Sequence, residues 1–274
     1  MKRLTDQQLS VIELSLSQTD REILAALRKF RYLKSSQVQR LFFLRNITPR
    51  ARLVAAGRAL TRMQRNGLID HLPNRIGGPG SGSTGLIWYL TETGSRLLDL
   101  GREKESKRTR YLEPSSAFVR HTLAVAECYI QVTEICRMKP DMKLLRIEIE
   151  PECWRNYQKN EKTLSLRPDL YAETVSAGYR YRWFIEMDLD TESINDIVEK
   201  CRRYHHYYQA NIEQGQGRVF PIVLWIVPTS ERKKKMLDAI RFNFGNSYAR
   251  FNLVITPNEL WSTMTDGVRE EDLC

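Results

Sequence analysis

No stretch of this sequence approaches the roughly 18 consecutive apolar residues that a membrane-spanning helix needs. Its first residues, Met1-Lys2-Arg3-Leu4-Thr5-Asp6, turn polar at once and contain no apolar core of a secretion signal. Both absences point to a cytoplasmic protein without a membrane partner. Cysteine is scarce and badly spaced for metal or bridge chemistry. Cys128, Cys136, Cys153, Cys201 and Cys274 are odd in number and show no C-x-x-C pair and no companion histidines. That excludes a structural zinc site or a disulfide framework and leaves reduced thiols. There is also no G-x-x-x-x-G-K-[ST] loop. The glycines between Gly77 and Gly82 precede a strand pattern rather than a helix and lack the lysine, so no phosphate cradle is expected.

What the sequence does have is charge, unevenly placed. At 274 residues, with 42% hydrophobic and 28% charged side chains, it reads as an ordinary globular chain of two domains. The net charge is +10, but residues 1–110 hold 21 Lys+Arg against 9 Asp+Glu. The totals of 43 and 33 leave 22 against 24 for the rest, so the whole positive excess lies in the first part. An anionic partner for that part follows, and double-stranded DNA is the default.

The first hundred residues carry helix punctuation at short intervals. Thr19-Asp20-Arg21-Glu22 fits a capping box with Thr19 as N-cap, followed by Ile23, Leu24, Leu27 and Phe30 on one face. Ser35 or Ser36 would cap a short second helix with Val38, Leu41 and Phe42. Thr48-Pro49 starts a third, which would bury Leu53, Leu60 and Met63 and end at Asn66-Gly67. Its other face carries Arg50, Arg52, Arg58, Arg62 and Arg65. Two strand patterns, Leu68–Leu72 and Leu86–Leu90, flank the Gly/Ser-rich 77–83 as a wing, and Thr91 to Gly94 opens a trailing helix. These elements predict a winged helix-turn-helix over residues 1–100, with the third helix in the groove. Arg50, Arg52, Arg58 and Arg62 are the expected DNA contacts, joined by Arg75 from the wing. A mixed-charge linker, 101–113, follows.

Residues 114–274 read as an α/β domain. A helix from Ser115 to Met138 precedes a strand at 144–150, a strand pair at 168–174 and 181–188, a helix from Glu192 to Ile212, and a buried strand at 219–227. A basic helix (Glu231 to Phe242) and a short strand (Leu253 to Thr256) close the domain. The order α-β-β-β-α-β resembles the PD-(D/E)XK nuclease core, making the chain a two-domain α+β and α/β protein. Arg167-Pro168-Asp169 and Ile185-Glu186-Met187-Asp188 sit where that core has its acids. The resemblance implies Asp169 and Glu186 as ligands of Mg²⁺. Asp188 occupies the position of the usual lysine, and Lys200, with Tyr204 one turn on, is the candidate replacement cation. Glu127 and Glu148 are weaker candidates for the same cluster. His205-His206-Tyr207-Tyr208 is similar to the His and Tyr of relaxases, but adjacent helix residues point about 100° apart and cannot chelate one metal together.

Taken whole, the sequence resembles the replication-relaxation family of plasmids and integrative elements over about residues 19–228. The likeness runs through Thr19–Leu24, Leu41–Phe43, Leu60–Met63, Gly67–Ile69 and Tyr89–Gly94, and most distinctively through Arg167–Asp169 and Phe184–Ser193. It implies a role in replication or DNA relaxation or its control, and it implies that Glu-x-Asp belongs to the family pattern. Three functions stay open at this level. One is a DNA-binding module whose second domain dimerises or recruits replication or conjugation proteins. Another is a Mg²⁺-dependent nickase or endonuclease using Asp169, Glu186 and Lys200. The third is a transcriptional repressor with a dimerisation domain.

Overall fold

The computed structural model describes residues 4–44, 48–73, 85–100, 114–159, 161–245 and 251–268. The Gly/Ser-rich stretch, Arg75 and the 101–113 linker lie outside them. The fold is mixed α and β, in two compact units, Met1–Ile130 and Gln131–Cys274. Among the described residues, no helix is long and apolar enough to cross a membrane.

In the first unit, α1 (Asp6–Ser15), α2 (Gln18–Phe30), α3 (Ser35–Phe42), α4 (Pro49–Arg65) and α5 (Glu92–Leu98) surround a small sheet. Strands β1 (Tyr32–Lys34), β2 (Ile69–His71) and β3 (Ile87–Leu90) pair antiparallel in the order β1-β3-β2. Helix α1 and strand β1 come in addition to the elements expected from the sequence, and the α2 cap lies two residues before the expected Thr19. Ser17 is the N-cap, accepting from Asp20 N while the Asp20 carboxylate accepts from Ser17 N. Both S/T-x-x-acid pairs fit the capping pattern, and the Ser17 pair prevails because it buries Asp20 where a basic partner can reach it. Likewise α3 begins at Ser35, with Lys34 as N-cap and Gln37 accepting from its amide. The α4 start is as expected: Thr48 accepts from Ala51 N and Pro49 takes the first turn. Leu53, expected in the core, is 56% exposed; Ala56, Ala59, Leu60 and Met63 form the buried stripe instead. Any larger residue at Gly94 would force a shift, because a Cβ there would stand 2.1 Å from the Leu68 carbonyl oxygen.

Helix α6 (Ser116–Met138) begins in the first unit. Its Val119 and Leu123 pack with Tyr32, Leu72 and Ile87, and Gln37 donates to the Leu123 carbonyl at 3.0 Å. This is why the units divide at residue 130, although the change of composition in the sequence falls at 101–113.

The second unit is built on a five-stranded sheet in the order β10-β9-β8-β7-β4. Strands β4 (Lys143–Ile149), β7 (Leu170–Ser176) and β8 (Tyr179–Met187) run antiparallel. β9 (Ile222–Ile226) and β10 (Asn252–Ile255) continue parallel to β8. Parallel pairing needs crossovers, and α7 (Ile194–Gln209) and α8 (Ser230–Phe244) supply them; α9 (Leu260–Asp266) follows. The β7–β8 turn is the two-residue Ala177-Gly178, both at positive φ (49° and 83°), the conformation that matches strand twist in a tight hairpin. A separate hairpin of β5 (Arg155–Lys159) and β6 (Lys162–Leu166), absent from the sequence reading, stands between β4 and β7. The core is strongly aromatic: Phe184, Tyr204, Tyr207, Phe220 and Trp225 are buried together with Val223, Met236 and Val254.

Candidate nucleic-acid interface and acid pocket

Helix α4 has five arginines and no acidic residue. Arg50, Arg58 and Arg65 are exposed and Arg52 is half-buried. Two shallow grooves run along the exposed side, one lined by Thr48, Arg50, Val54 and Arg58, the other by Arg58, Thr61, Arg62 and Arg65. Arg62 differs from the rest. Its guanidinium reaches both oxygens of buried Asp20, at 2.6 and 2.8 Å, and ties α4 to the start of α2. Arg62, expected as a DNA contact, is thus tied to Asp20 while half of its side chain stays exposed on the groove. The signal was present in the sequence as the alternative cap Ser17-x-x-Asp20, which leaves a buried carboxylate in need of a cation.

In the second unit the sequence-derived acids do converge. Asp169, at the entry to β7, accepts from the Met187 amide through Oδ2 at 2.8 Å, which locks it beside the end of β8. Glu186, 3% exposed, accepts from the Tyr204 hydroxyl at 2.6 Å, and Lys200 Nζ lies 3.5 Å from its other oxygen. Lys200 also pairs with Glu192 at 3.0 Å. Both Lys200 and Tyr204 come from α7, one turn apart, so one helix face delivers a cation and a hydroxyl to the same carboxyl. Burial pushes the Glu186 acid up to about 8, with the Asp169 carboxylate adding to the rise; Lys200 and the Tyr204 hydrogen bond oppose it. Burial by itself would lower Lys200, but Glu186, Asp169 and Glu192 outweigh it and hold the ammonium charged. Burial, then the Glu186 charge, raises Tyr204 well above the phenol range. Next to them, the Cys153 thiol donates to the Pro168 carbonyl at 2.9 Å, and burial pushes its pKa up to about 12.

Asp188, two residues beyond Glu186, faces a different helix. Arg232 of α8 donates to both of its oxygens, at 2.6 and 3.3 Å, and also to the Glu192 carbonyl at 2.8 Å. Both side chains are buried, at 2% and 7% exposure. The residue that replaces the expected lysine thus belongs to a buried ion pair. Nothing local announced Arg232, which lies 44 residues away. Glu127 and Glu148 stand elsewhere: Glu127 pairs with Arg40 and Gln37 in the first unit, and Glu148 pairs with Arg146 and, at 3.3 Å, with Arg155. His205 is half-buried against Tyr208, and Tyr207 is part of the core, giving its hydroxyl to Glu213.

Mg²⁺ prefers an octahedral shell of hard oxygens with several waters. Asp169 and Glu186 would be its ligands. In the chain as folded both Glu186 oxygens have partners, the Tyr204 hydroxyl and the Lys200 ammonium. Among the described residues, no group of three or more His, Cys, Asp or Glu is placed to hold a metal ion. As folded, Glu186, Lys200 and Tyr204 form a closed acid–lysine–tyrosine cluster beside Asp169.

The sequence model of the family described as replication-relaxation matches residues 24–223. The chain belongs to the replication-relaxation family. Comparison with curated protein sequences finds no match. The family match takes in α4 and the cluster of Asp169, Glu186, Asp188, Lys200 and Tyr204; Arg232 and α8 lie beyond it.

Proposed function

We propose that this replication-relaxation protein binds double-stranded DNA through α4 and acts in the replication or relaxation of a plasmid or integrative element. The observation that carries the reading is the exposed, acid-free face of α4, with Arg50, Arg58 and Arg65 along two open grooves. A helix of this kind, preceded by α2 and α3 and followed by a β2–β3 pair, has the arrangement of a winged helix-turn-helix, whose third helix enters the major groove. In the second unit the strand order and the α7 crossover agree with a PD-(D/E)XK-like core. Its acid cluster is read as structural. The family's name supports the setting in replication and relaxation.

Arg50→Ala with Arg58→Ala tests the reading in the full chain by fluorescence anisotropy on a duplex across a salt series. Each lost phosphate contact is expected to lower the log–log salt slope by about 0.9. Affinity and slope equal to wild type would refute the assignment of α4. The nickase reading has one specific observation in its favour, the meeting of Lys200 with Glu186 beside Asp169. Supercoiled plasmid incubated with Mg²⁺ or Mn²⁺ decides it: metal-dependent nicking lost in Asp169→Ala and Glu186→Ala would establish an enzyme.

A further inference from the structure

Strands β4, β7 and β8 set their side chains in register on one face of the main sheet. Glu148↔Tyr171↔Phe184 form one row, Arg146↔Glu173↔Arg182 the next and Lys143↔Val175↔Arg180 the last. Directly opposed residues share a face, so all nine lie on the side that also carries Glu186. The first row is covered: Tyr171 and Phe184 are buried, Phe184 against Tyr204 and Tyr207 of α7. The other two rows are open, with Lys143, Arg146 and Arg180 exposed and Arg182 half-buried. One carboxylate lies among them, Glu173, on which Arg180 and Arg182 converge at 3.0 and 3.2 Å. Glu148 is likewise held by two guanidiniums, Arg146 and, at 3.3 Å, Arg155, which stacks 4.6 Å over the Tyr171 ring. The acids are 13% and 14% exposed against 52% and 56% for Arg146 and Arg180, so solvent meets the cations. Four arginines and a lysine over two acids give this face a net +3, in a part of the chain where acids outnumber bases. Glu213, whose charge also reaches Tyr171, is paired with Arg218 at 3.7 Å and leaves that balance unchanged.

Charge on the edge strand β4 has an ordinary explanation, since lysine and arginine there deter the sheet from extending. Arg180 and Arg182 stand on β8, the middle strand of five, where there is no edge to protect. An arginine fork matches phosphate oxygens, and each guanidinium here is oriented by a carboxylate before any ligand arrives. Protein partners fit the face poorly, because protein interfaces centre on apolar and aromatic side chains and are depleted of charge there. Among the nine residues of the three rows no apolar side chain is exposed. Protein–DNA interfaces are the polar, strongly positive ones. We infer that the open rows of the β4–β7–β8 face are a second duplex-DNA contact, independent of α4, in which Lys143, Arg146, Arg180 and Arg182 hold the phosphate backbone. This rests on the reading of the chain as a DNA-binding protein. Phosphate contacts add affinity and register without choosing a sequence.

The full chain and a fluorescent random-sequence duplex of about 30 base pairs test this by anisotropy across a salt series. Arg146→Gln with Arg180→Gln leaves Glu148 to Arg155 and Glu173 to Arg182, so neither acid is stranded and thermal melting should stay near wild type. This variant is expected to weaken binding about tenfold and to lower the log–log salt slope by about 1.8, or about 0.9 for each phosphate contact. Arg146→Lys with Arg180→Lys keeps the charge and should keep the slope. Lys143→Glu, an exposed position on the edge strand, should lower the slope by about 0.9 on its own. Lys234→Gln with Arg241→Gln removes equal charge from the exposed side of α8 and should change little. Wild-type affinity and slope in the Arg146/Arg180 and Lys143 variants, or an equal loss in the α8 control, would overturn the sheet-face contact; loss in Arg50→Ala/Arg58→Ala would then leave the reading of α4 standing. Loss in the sheet-face variants alone would support the sheet face and overturn α4. Polyglutamate whose binding depends on Arg146 and Arg180, while that of the duplex does not, would overturn DNA in favour of an acidic protein. A wild-type protein that does not bind the duplex at all would overturn both DNA contacts.

Discussion

Replacing Arg232 with methionine removes one half of a buried ion pair and leaves the other half in place. Asp188 is 2% exposed and would lose two hydrogen bonds, at 2.6 and 3.3 Å, while keeping one from the Asp190 amide at 2.9 Å. Stranding one member of a buried pair costs about 3–5 kcal/mol. The remaining amide contact places this case in the lower half, at about 3–4 kcal/mol. For a unit of this size each kcal/mol lowers the melting temperature by about 2–4 °C, so the transition of the second unit should fall by roughly 10 °C. Scanning calorimetry on the full chain reads this, with urea unfolding as a second measure. The double variant Asp188→Asn/Arg232→Met no longer buries a charge and should recover more than half of the loss. A cost below about 1 kcal/mol for Arg232→Met would be that of an exposed pair, and would refute the assignment of Asp188 to a buried structural clamp.

Three further outcomes are expected. Arg62→Ala should lower the stability of the first unit by about 1–3 kcal/mol because it strands Asp20, whereas Arg50→Ala and Arg58→Ala should stay within about 0.5 kcal/mol; equal melting temperatures for all three would contradict the Asp20–Arg62 tie. Glu186 binds its proton more tightly folded than unfolded, so its contribution is full below its ordinary value of 4.5 and is lost as pH rises through about 8. Stability should therefore fall across that window by at most about 1.4 kcal/mol per pH unit, and Glu186→Gln should remove this slope in pH-resolved denaturation. Gly94→Ala should destabilise the first unit by about 1–3 kcal/mol in urea unfolding, since the new methyl meets the Leu68 carbonyl at 2.1 Å and Leu90 Cδ1 at 2.7 Å; a neutral result would mean the backbone there yields freely.

How much of this could be read from residues alone depended on whether the deciding partner was local. The start of α4 was legible because Thr48 and Pro49 act within one turn, and β7 and β8 were legible because Ser176-Ala177-Gly178 marks the turn between two apolar runs. The meeting of Glu186 with Lys200 followed from strand order and helix placement. The three-residue strand β1 was not legible, because it is too short to show a period and exists through pairing with β3, more than fifty residues on. The choice between Ser17 and Thr19 as cap depended on Arg62, 42 residues from Asp20. The exposure of Leu53 shows the same limit: the α4 stripe turned toward Ala56 and Ala59, beside Leu60 and Met63, and alanines permit close packing but carry a weak hydrophobic signal. Polar, alternating strands such as β5 and β6 look like loop until their pairing is known.

The end of β8 also constrains how this chain can change over generations. Glu186 answers to Lys200 on α7, and Asp188 to Arg232 on α8, so a carboxyl near the end of β8 and another just beyond it each anchor a different crossover helix. A lone Asp188→Lys, the single step that would write Glu-x-Lys into the chain, sets two buried cations against each other. The step becomes passable only after Arg232 has been exchanged for a neutral or acidic side chain, which by itself strands Asp188. Either order crosses an unstable intermediate, and the present arrangement is therefore a ratchet: easy to keep and hard to leave.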